Sequence, residues 1–340
     1  TGADIVPIIG ENRVLAFYGL KRLNESPRPG MKALSRDHKR FGEMTITDIV
    51  FTIAPRINAA GRMKHAKNVV SLLIEKNEKM AIKTAQEIET YNTDRRAEDK
   101  RITKEALAQI KSASYQESAS TVVYHPQWHK GVIGIVASRL IETYYRPTVV
   151  FTKSKDYLVA SARSVKGFDI FEALESCSAH IEQFGGHKYA AGLSIREENY
   201  ELFKAAFDKV VAERITEAQK IKVIEIDTEL DFSDITSGFY DVLKQFEPFG
   251  PENMPPLFIT KNVMDRGYSK TVGSENEHLK LHMCSEKEKL SEMNGIAFNM
   301  GHHSQYVSKG LTFDICYAIQ ENKWKGNVSI QLAVKDIKTL

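Results

Sequence analysis

Cysteine is scarce in this sequence. Cys177, Cys284 and Cys316 are the only three in 340 residues, and no pair has the Cys-x-x-Cys spacing. That argues against a zinc site and a disulfide framework, and it fits a reducing cytoplasm. Long apolar runs are missing as well: nothing reaches the length of a membrane span and no signal-like segment follows Thr1, so no membrane partner is expected. A large excess of charge is also missing. The formal net charge is +3, which leaves any nucleic-acid binding to a local patch. From His65 to Ser114 there is neither glycine nor proline, the residues that most often break a helix.

That stretch is rich in Ala, Glu, Lys, Ile and Gln and predicts helix, in two pieces. Apolar Met80, Ile82, Ala85 and Ile88 give way to a polar run from Asn92 to Arg101, before Ile102, Ala106, Leu107 and Ile110 resume helical spacing. Apolar ends around a polar middle suit a helix that bridges two domains, about 50 Å long at about 1.5 Å per residue. Its charges read as a solvated face, with Arg95, Arg96 and Lys100 able to line a cleft between the domains. At 42% hydrophobic residues, the chain can fill the cores of two or three domains.

The densest chemistry lies in residues 118–215. A strand at Thr121 to His125, a loop to Gly131 and a helix from Val132 to Tyr145 put Trp128, His129 and Gly131 at a helix N-terminus, where unpaired N–H groups favour anions. Taken singly, Trp128 reads as a packing aromatic and His129 as a cap. Tyr157 to Ser164 alternates, so as a strand it turns Ser161 and Arg163 to one face and Leu158, Ala160 and Ala162 to the other. A guanidinium fork beside a short hydroxyl donor suits phosphate. In Phe184-Gly185-Gly186-His187, two residues without Cβ expose main-chain N–H groups and open positive φ, which predicts a tight anion-accepting turn with His187 at its lip. Strands at 148–152 and 190–195 and helices at 168–183 and 198–214 complete an α/β pattern.

Four motifs together carry a resemblance: Pro55-Arg56-Ile57-Asn58-Ala59-Ala60-Gly61-Arg62-Met63, Trp128-His129-Lys130-Gly131 running on to Leu140, Ser161-Ala162-Arg163-Ser164, and Phe184 to Gly192. In this order they resemble the RecJ single-strand-specific DNA exonucleases of the DHH phosphoesterase superfamily, over nearly the whole chain. The Gly-Gly-His element resembles the DHH-associated domain, which other phosphoesterases and alanyl-tRNA synthetases also carry. The Pro-Arg-Ile-Asn-Ala-Ala-Gly-Arg run points to RecJ in particular.

The resemblance implies an α/β multi-domain chain. Residues 1–75 would be the end of a DHH phosphoesterase domain, 76–114 a long connecting helix, 118–215 an α/β DHH-associated domain and 221–340 a C-terminal β-barrel of the OB-fold type. The implied activity is metal-dependent, 5′-to-3′ hydrolysis of single-stranded DNA in repair and recombination, with Mn2+ or Mg2+ as cofactor and Asp4 as a metal ligand. No Asp-His-His occurs in the chain, and Asp37-His38-Lys39 reads as a solvated basic loop. Most metal ligands would then precede Thr1, and this chain alone would hydrolyse nothing. The grip on DNA and its 5′ terminal phosphate falls to Arg56, Asn58, Arg62, His129, Ser161, Arg163, Ser164, Gly185, Gly186 and His187. Small Ala59, Ala60 and Gly61 would let a strand pass close while Arg56 and Arg62 reach phosphates, or else pack a helix against a neighbour.

After Lys220 strand-like stretches alternate with turns at 222–230, 257–265, 279–283, 295–299, 311–319 and 328–337, as in a small antiparallel barrel. Such a barrel stacks bases on aromatics beside a basic groove, for which Phe249, Tyr268, His278, Lys280, Trp324 and Lys325 are candidates. Phe249 and Phe298 read more readily as core, and His302-His303 as an exposed loop. Single-stranded DNA is the expected partner, with a single-strand-binding protein or a helicase as candidates for docking on the barrel. Two further readings stand beside the exonuclease: a non-catalytic single-strand-binding module, and a phosphodiesterase for oligonucleotides or cyclic dinucleotides, which the barrel disfavours.

Overall fold

A computed structural model describes every residue except 5, 37–42, 64, 65, 113–117, 286–290, 325 and 340. The expectation for Asp37-His38-Lys39 falls outside the described residues, as do Lys325 and the side chain of Trp324. In chain order the elements are α1 (Gly10–Glu25), α2 (Pro29–Leu34), α3 (Ile46–Asp48), α4 (Ala54–Met63), α5 (Lys67–Ile74), α6 (Glu78–Ser112), β1 (Thr121–Tyr124), α7 (Ile133–Thr143), β2 (Thr148–Ser154), β3 (Tyr157–Arg163), α8 (Ile170–Glu175), β4 (Gln183–His187), β5 (Ala190–Ile195), α9 (Tyr200–Arg214), β6 (Thr228–Glu229), α10 (Ser237–Lys244), β7 (Phe258–Asp265), β8 (Lys270–Val272), β9 (His278–Ser285), β10 (Glu292–Ala297), α11 (Ser304–Val307), β11 (Phe313–Trp324) and β12 (Asn327–Thr339). They form two compact units, Arg22–Val223 and Thr1–Lys21 with Ile224–Leu340.

In Arg22–Val223 the glycine-free stretch breaks once, between α5 and α6. Asn77 makes the break without glycine, its Oδ1 accepting the N–H groups of Lys79 at 2.9 Å and Met80 at 3.2 Å. α6 then runs 35 residues without interruption. Its first half buries Ala81, Ala85 and Ile88 with Ile53, Ala60, Val69 and Leu72, and its second half buries Ile102, Ala106 and Ile110 with Trp128 and α7. The polar middle that separates the two halves in the sequence therefore separates two cores. Ahead of α4, residues 46–53 are helical: Thr45, the N-cap, and Asp48 cap each other and Ile49–Ile53 widens into a π-turn before Pro55, which has no N–H to donate.

The sheet of this unit has the order β1-β2-β3-β5-β4, with β1 and β2 parallel across α7 and the other pairs antiparallel. Strand alternation sorts its faces as the sequence indicates. Leu158, Ala160, Ala162, Ala191, Leu193 and Ile195 enter a core closed by Phe203, Phe207 and Val211 of α9. Ser161 and Arg163 lie on the opposite face, where α7 packs. Two expectations are corrected here. Gly185, Gly186 and His187 form strand β4 and not a turn, with Gly185 opposite Gly192 and His187 opposite Ala190; Lys188 and Tyr189 make the turn. The helix expected over 168–183 shortens to α8, which Asp169 caps by accepting from Phe171 and Glu172 N–H, followed by one 3₁₀ turn at Ser178–His180.

In the second unit β7, β11, β12, β10 and β9 are joined in sequence, and β7 also pairs with β9, closing the strands into a ring. Val263, Leu281, Met283, Phe313, Ile315, Tyr317 and Leu332 fill its interior. The strand expected over 222–230 contracts to Thr228–Glu229, the two residues that find a partner on β7, and Lys270–Val272 adds an unexpected short strand against β9.

Candidate nucleic-acid interface

The site builds outward from two glycines that let three elements meet. A Cβ on Gly134, in the first turn of α7, would stand 2.9 Å from Ser161 Oγ and 3.0 Å from Arg163 Nη2. On Gly131, just before α7, it would stand 2.6 Å from the main-chain oxygen of Arg62 at the end of α4. The strand bearing Ser161 and Arg163 and the helix bearing Arg62 thus close on the same N-terminal turn of α7. The free N–H groups expected there are largely taken: Val132 and Ile133 donate to His129 O at 2.9 and 3.3 Å, and Ile135 donates to Val132 O at 2.8 Å. Arg163 Nη1 donates to Ser161 Oγ at 2.9 Å and to its neighbour's carbonyl, Ala162 O, at 2.8 Å. Arg62 Nη1 donates to Gly131 O at 3.3 Å.

No carboxylate pairs with Arg163 among the described residues. Burial pushes its guanidinium below the ordinary value, and the charge of Arg62 pushes in the same direction. A guanidinium stays charged across the accessible pH range, so the two cations repel one another in a half-buried setting. An anion between them relieves both terms. Beside them the sheet offers a flat floor: Ser161, Gly192 and Gly185 fall in register across β3, β5 and β4, as do Arg163, Ala190 and His187. Gly192 and Gly185 are exposed, and each leaves main chain where a side chain would otherwise cover it.

The other residues expected at the site fall in different places. Asn58 is exposed one helical turn before Arg62 and shares its face of α4. Arg56 points away, its Nε held by Glu89 of α6 and its Nη1 donating to Thr52 O at 2.6 Å. His129 turns inward to its own loop, Nδ1 accepting the Gly131 N–H at 3.1 Å. Ser164 gives its hydroxyl to Phe168 O at 2.8 Å. Trp128 is 3% exposed and donates Nε1–H to Glu105 Oε2 at 2.8 Å, tying the loop to α6. Gly134 and Gly192 lay outside the expected set; their signal is a glycine inside an otherwise apolar helix and one inside an alternating strand, each marking close approach of another group.

On the ring of the second unit, His278, Lys280 and His282 alternate outward along β9 while Leu279, Leu281 and Met283 point in. Tyr268, 75% exposed, meets the His282 ring edge-on at 5.5 Å, and Phe298 meets His278 in the same way at 5.1 Å. Lys270 lies opposite Lys280 in register. Phe298, expected in the core, is 57% exposed because it stands in the turn just after β10 ends at Ala297. Phe249 is half-buried. The result is a row of π-faces with two lysines in its middle. Among the described residues no group of three or more His, Cys, Asp or Glu could hold a metal ion, and Asp4 belongs to none. No helix is long and apolar enough to cross a membrane among the described residues.

Comparison with known proteins gives two family matches: a DHHA1 domain over residues 117–213 and a RecJ OB domain over residues 226–336. The chain is 32% identical over 339 residues to the single-stranded-DNA-specific exonuclease RecJ of Bacillus subtilis, covering 99% of this chain and 42% of the relative. To the exonuclease RecJ of Haemophilus influenzae it is 32% identical over 351 residues, covering 100% of this chain and 60% of the relative. Among solved structures, RecJ of Thermus thermophilus in complex with Mg2+ matches with a TM-score of 0.84 at 25% identity, over 99% of this chain and 50% of that one. The exonuclease RecJ bound to manganese matches with a TM-score of 0.54 at 32% identity, over 63% of this chain and 53% of that one. The chain thus spans between 42% and 60% of the length of these two curated relatives.

Proposed function

The chain belongs to the RecJ family, and we propose that it supplies the strand grip of a single-stranded-DNA-specific, 5′-to-3′ exonuclease. The observation that carries this reading is Arg163, half-buried beside Ser161, packed under the first turn of α7 and facing a second cation, Arg62. A terminal phosphate fits such a place better than an internal phosphodiester does. The monoester carries about 1.5 to 2 negative charges at neutral pH, whereas each diester carries one, so two converging guanidiniums favour the end of a strand over its middle. A held end also sets polarity, because the distance from the held phosphate to the cutting centre decides which bond is reached. Ser161 adds a short donor, and the Gly192–Gly185 floor gives the first nucleotide room to lie flat against the sheet.

Cutting a phosphodiester with water calls for divalent cations that generate hydroxide and neutralise the charge developing on the phosphoryl group. The residues described here do not make such a set, so no hydrolytic step is assigned to them. We propose that this chain alone binds and does not cut. The ring of the second unit, with Tyr268, His282, His278 and Phe298 around Lys280, supports stacking of unpaired bases.

The test is Arg163→Ala in the complete protein that contains this chain. Cutting of 5′-phosphorylated single strands is expected to fall far more than overall strand binding. Equal cutting by parent and variant would remove the terminal-phosphate pocket from the reading.

A further inference from the structure

The cationic face of α6 takes no part in the pocket described above. Between Arg96 and Lys111 this helix sorts its charges by side. Arg101 bonds both Glu98 and Glu105, at 2.8 Å each, on one side. On another, Arg96, Lys100, Lys104 and Lys111 follow one another at helical spacing; all four are exposed and none has an ion-pair partner among the described residues. With Arg139 of α7 they line a groove of about 680 Å³. The one carboxylate in its wall among the described residues, Asp99, is buried and already held by Arg139 through Nε and Nη2, at 2.9 Å each. Arg95 also lines the groove, and its Nε is buried with no hydrogen-bond partner among the described residues.

The cations that line this groove repel one another. Burial pushes the Arg95 guanidinium down, Asp99 pulls it up, and Arg62, Arg96 and Arg139 push it down again. Arg62 therefore acts on Arg95 as well as on Arg163. Residues four apart on a helix rise about 6 Å, close to the spacing of successive phosphates in an extended strand, and Arg96 to Lys111 spans about 22 Å. Among the described residues the only apolar lining is Leu107 and Ala108. That gives an acidic peptide no pocket for an anchoring side chain, whereas a phosphodiester backbone needs charge alone.

We infer that the α6 groove is a second nucleic-acid track, in which internal phosphodiesters of a single strand lie against Arg96, Lys100, Lys104 and Lys111. The inference rests on the reading of the chain as a single-strand binder and is independent of the terminal-phosphate pocket. It is tested with the triple variant Lys100→Gln, Lys104→Gln, Lys111→Gln, exposed positions where folding is not at issue and a thermal melt checks that it is unchanged. Binding of a long oligothymidylate and of a 5′-phosphorylated trinucleotide is measured across a salt series. The slope of log affinity against log salt for the long strand is expected to flatten by about 2, roughly 0.7 for each of the lost contacts, with a roughly 30- to 100-fold weaker affinity at about 0.1 M salt. Trinucleotide binding stays as in the parent, and the triple Lys→Arg variant keeps the parent slope. If Arg163→Ala changes neither ligand while the glutamine variant still flattens the slope, the pocket fails and the track stands. An unchanged slope and unchanged long-strand affinity in the glutamine variant overturn the track. So does loss of affinity for polyglutamate with DNA binding intact, which would make the groove a docking face for an acidic protein segment.

Discussion

Arg163 Nη2 lies 3.0 Å from the point where a Cβ on Gly134 would stand, and that distance separates two kinds of glycine, Gly131 just before α7 and Gly134 in its first turn. At Gly134 the obstructing atoms are a mobile guanidinium tip and a hydroxyl that rotates; at Gly131 the obstruction is the main chain of Arg62 at 2.6 Å. Gly134→Ala is expected to leave the melting temperature within a few degrees of the parent while displacing Arg163 and Ser161 and weakening phosphate binding about tenfold or more. Gly131→Ala cannot be relieved by a side-chain rotation, and overpacking of this sort costs about 1–3 kcal/mol. Thermal melts and phosphate titrations of the two variants check the contrast. Equal loss of stability in both would mean that the close approach at Gly134 is as rigid as the one at Gly131.

The bond from Trp128 Nε1 holds the Glu105 carboxyl below its ordinary value of 4.5, with Arg101 adding to the effect and desolvation opposing it. Because the folded-state value is depressed, the stabilisation is present above the unfolded value and is lost as pH falls through the folded one. Glu105→Gln is expected to cost about 1 kcal/mol at neutral pH, a charged hydrogen bond discounted for partial exposure. The difference from the parent should close as the pH falls below 4.5. Urea melts of both proteins across this range decide it; a gap that stays constant in acid would show that the contact works through shape and not charge.

Tyr268 presents an exposed ring at the end of the His282–Lys280–His278 row. Base stacking on such a ring is worth about 1–3 kcal/mol by alanine substitution. Tyr268→Ala is therefore expected to weaken long-strand binding by roughly 5- to 150-fold with little change in salt dependence, since no phosphate contact is lost. Fluorescence titrations with oligothymidylate at two salt concentrations measure both quantities. Unchanged affinity would place the ring outside the strand's path.

Much of this was legible in the sequence where the physics is local. The alternation of Tyr157 to Arg163 fixes which face Ser161 and Arg163 share, and the apolar ends of α6 mark two cores. What the sequence hid depends on partners far along the chain. Arg56 reads like Arg62 in the same motif, yet Glu89, thirty-three residues away, claims it. Gly185 and Gly186 look like a turn because glycine permits one, but β5 recruits them as an edge strand. Residues 222–227 carry strand-forming side chains without a strand to pair with, and only Thr228–Glu229 finds β7. The importance of Gly134 arises only when β3 is laid against α7.

The most direct measurement is the affinity of this chain for one single-stranded oligonucleotide with and without its 5′ phosphate, in the parent, in Arg163→Ala and in Arg56→Ala. A charge-assisted contact to a phosphate is worth about 1.5–3 kcal/mol, so the parent should prefer the phosphorylated strand by roughly 10- to 150-fold. Arg163→Ala should erase that preference and Arg56→Ala, with its guanidinium held by Glu89, should keep it. A parent that binds both strands equally, or an Arg163→Ala variant that still distinguishes them, would contradict the claim that this pocket grips the end of the strand.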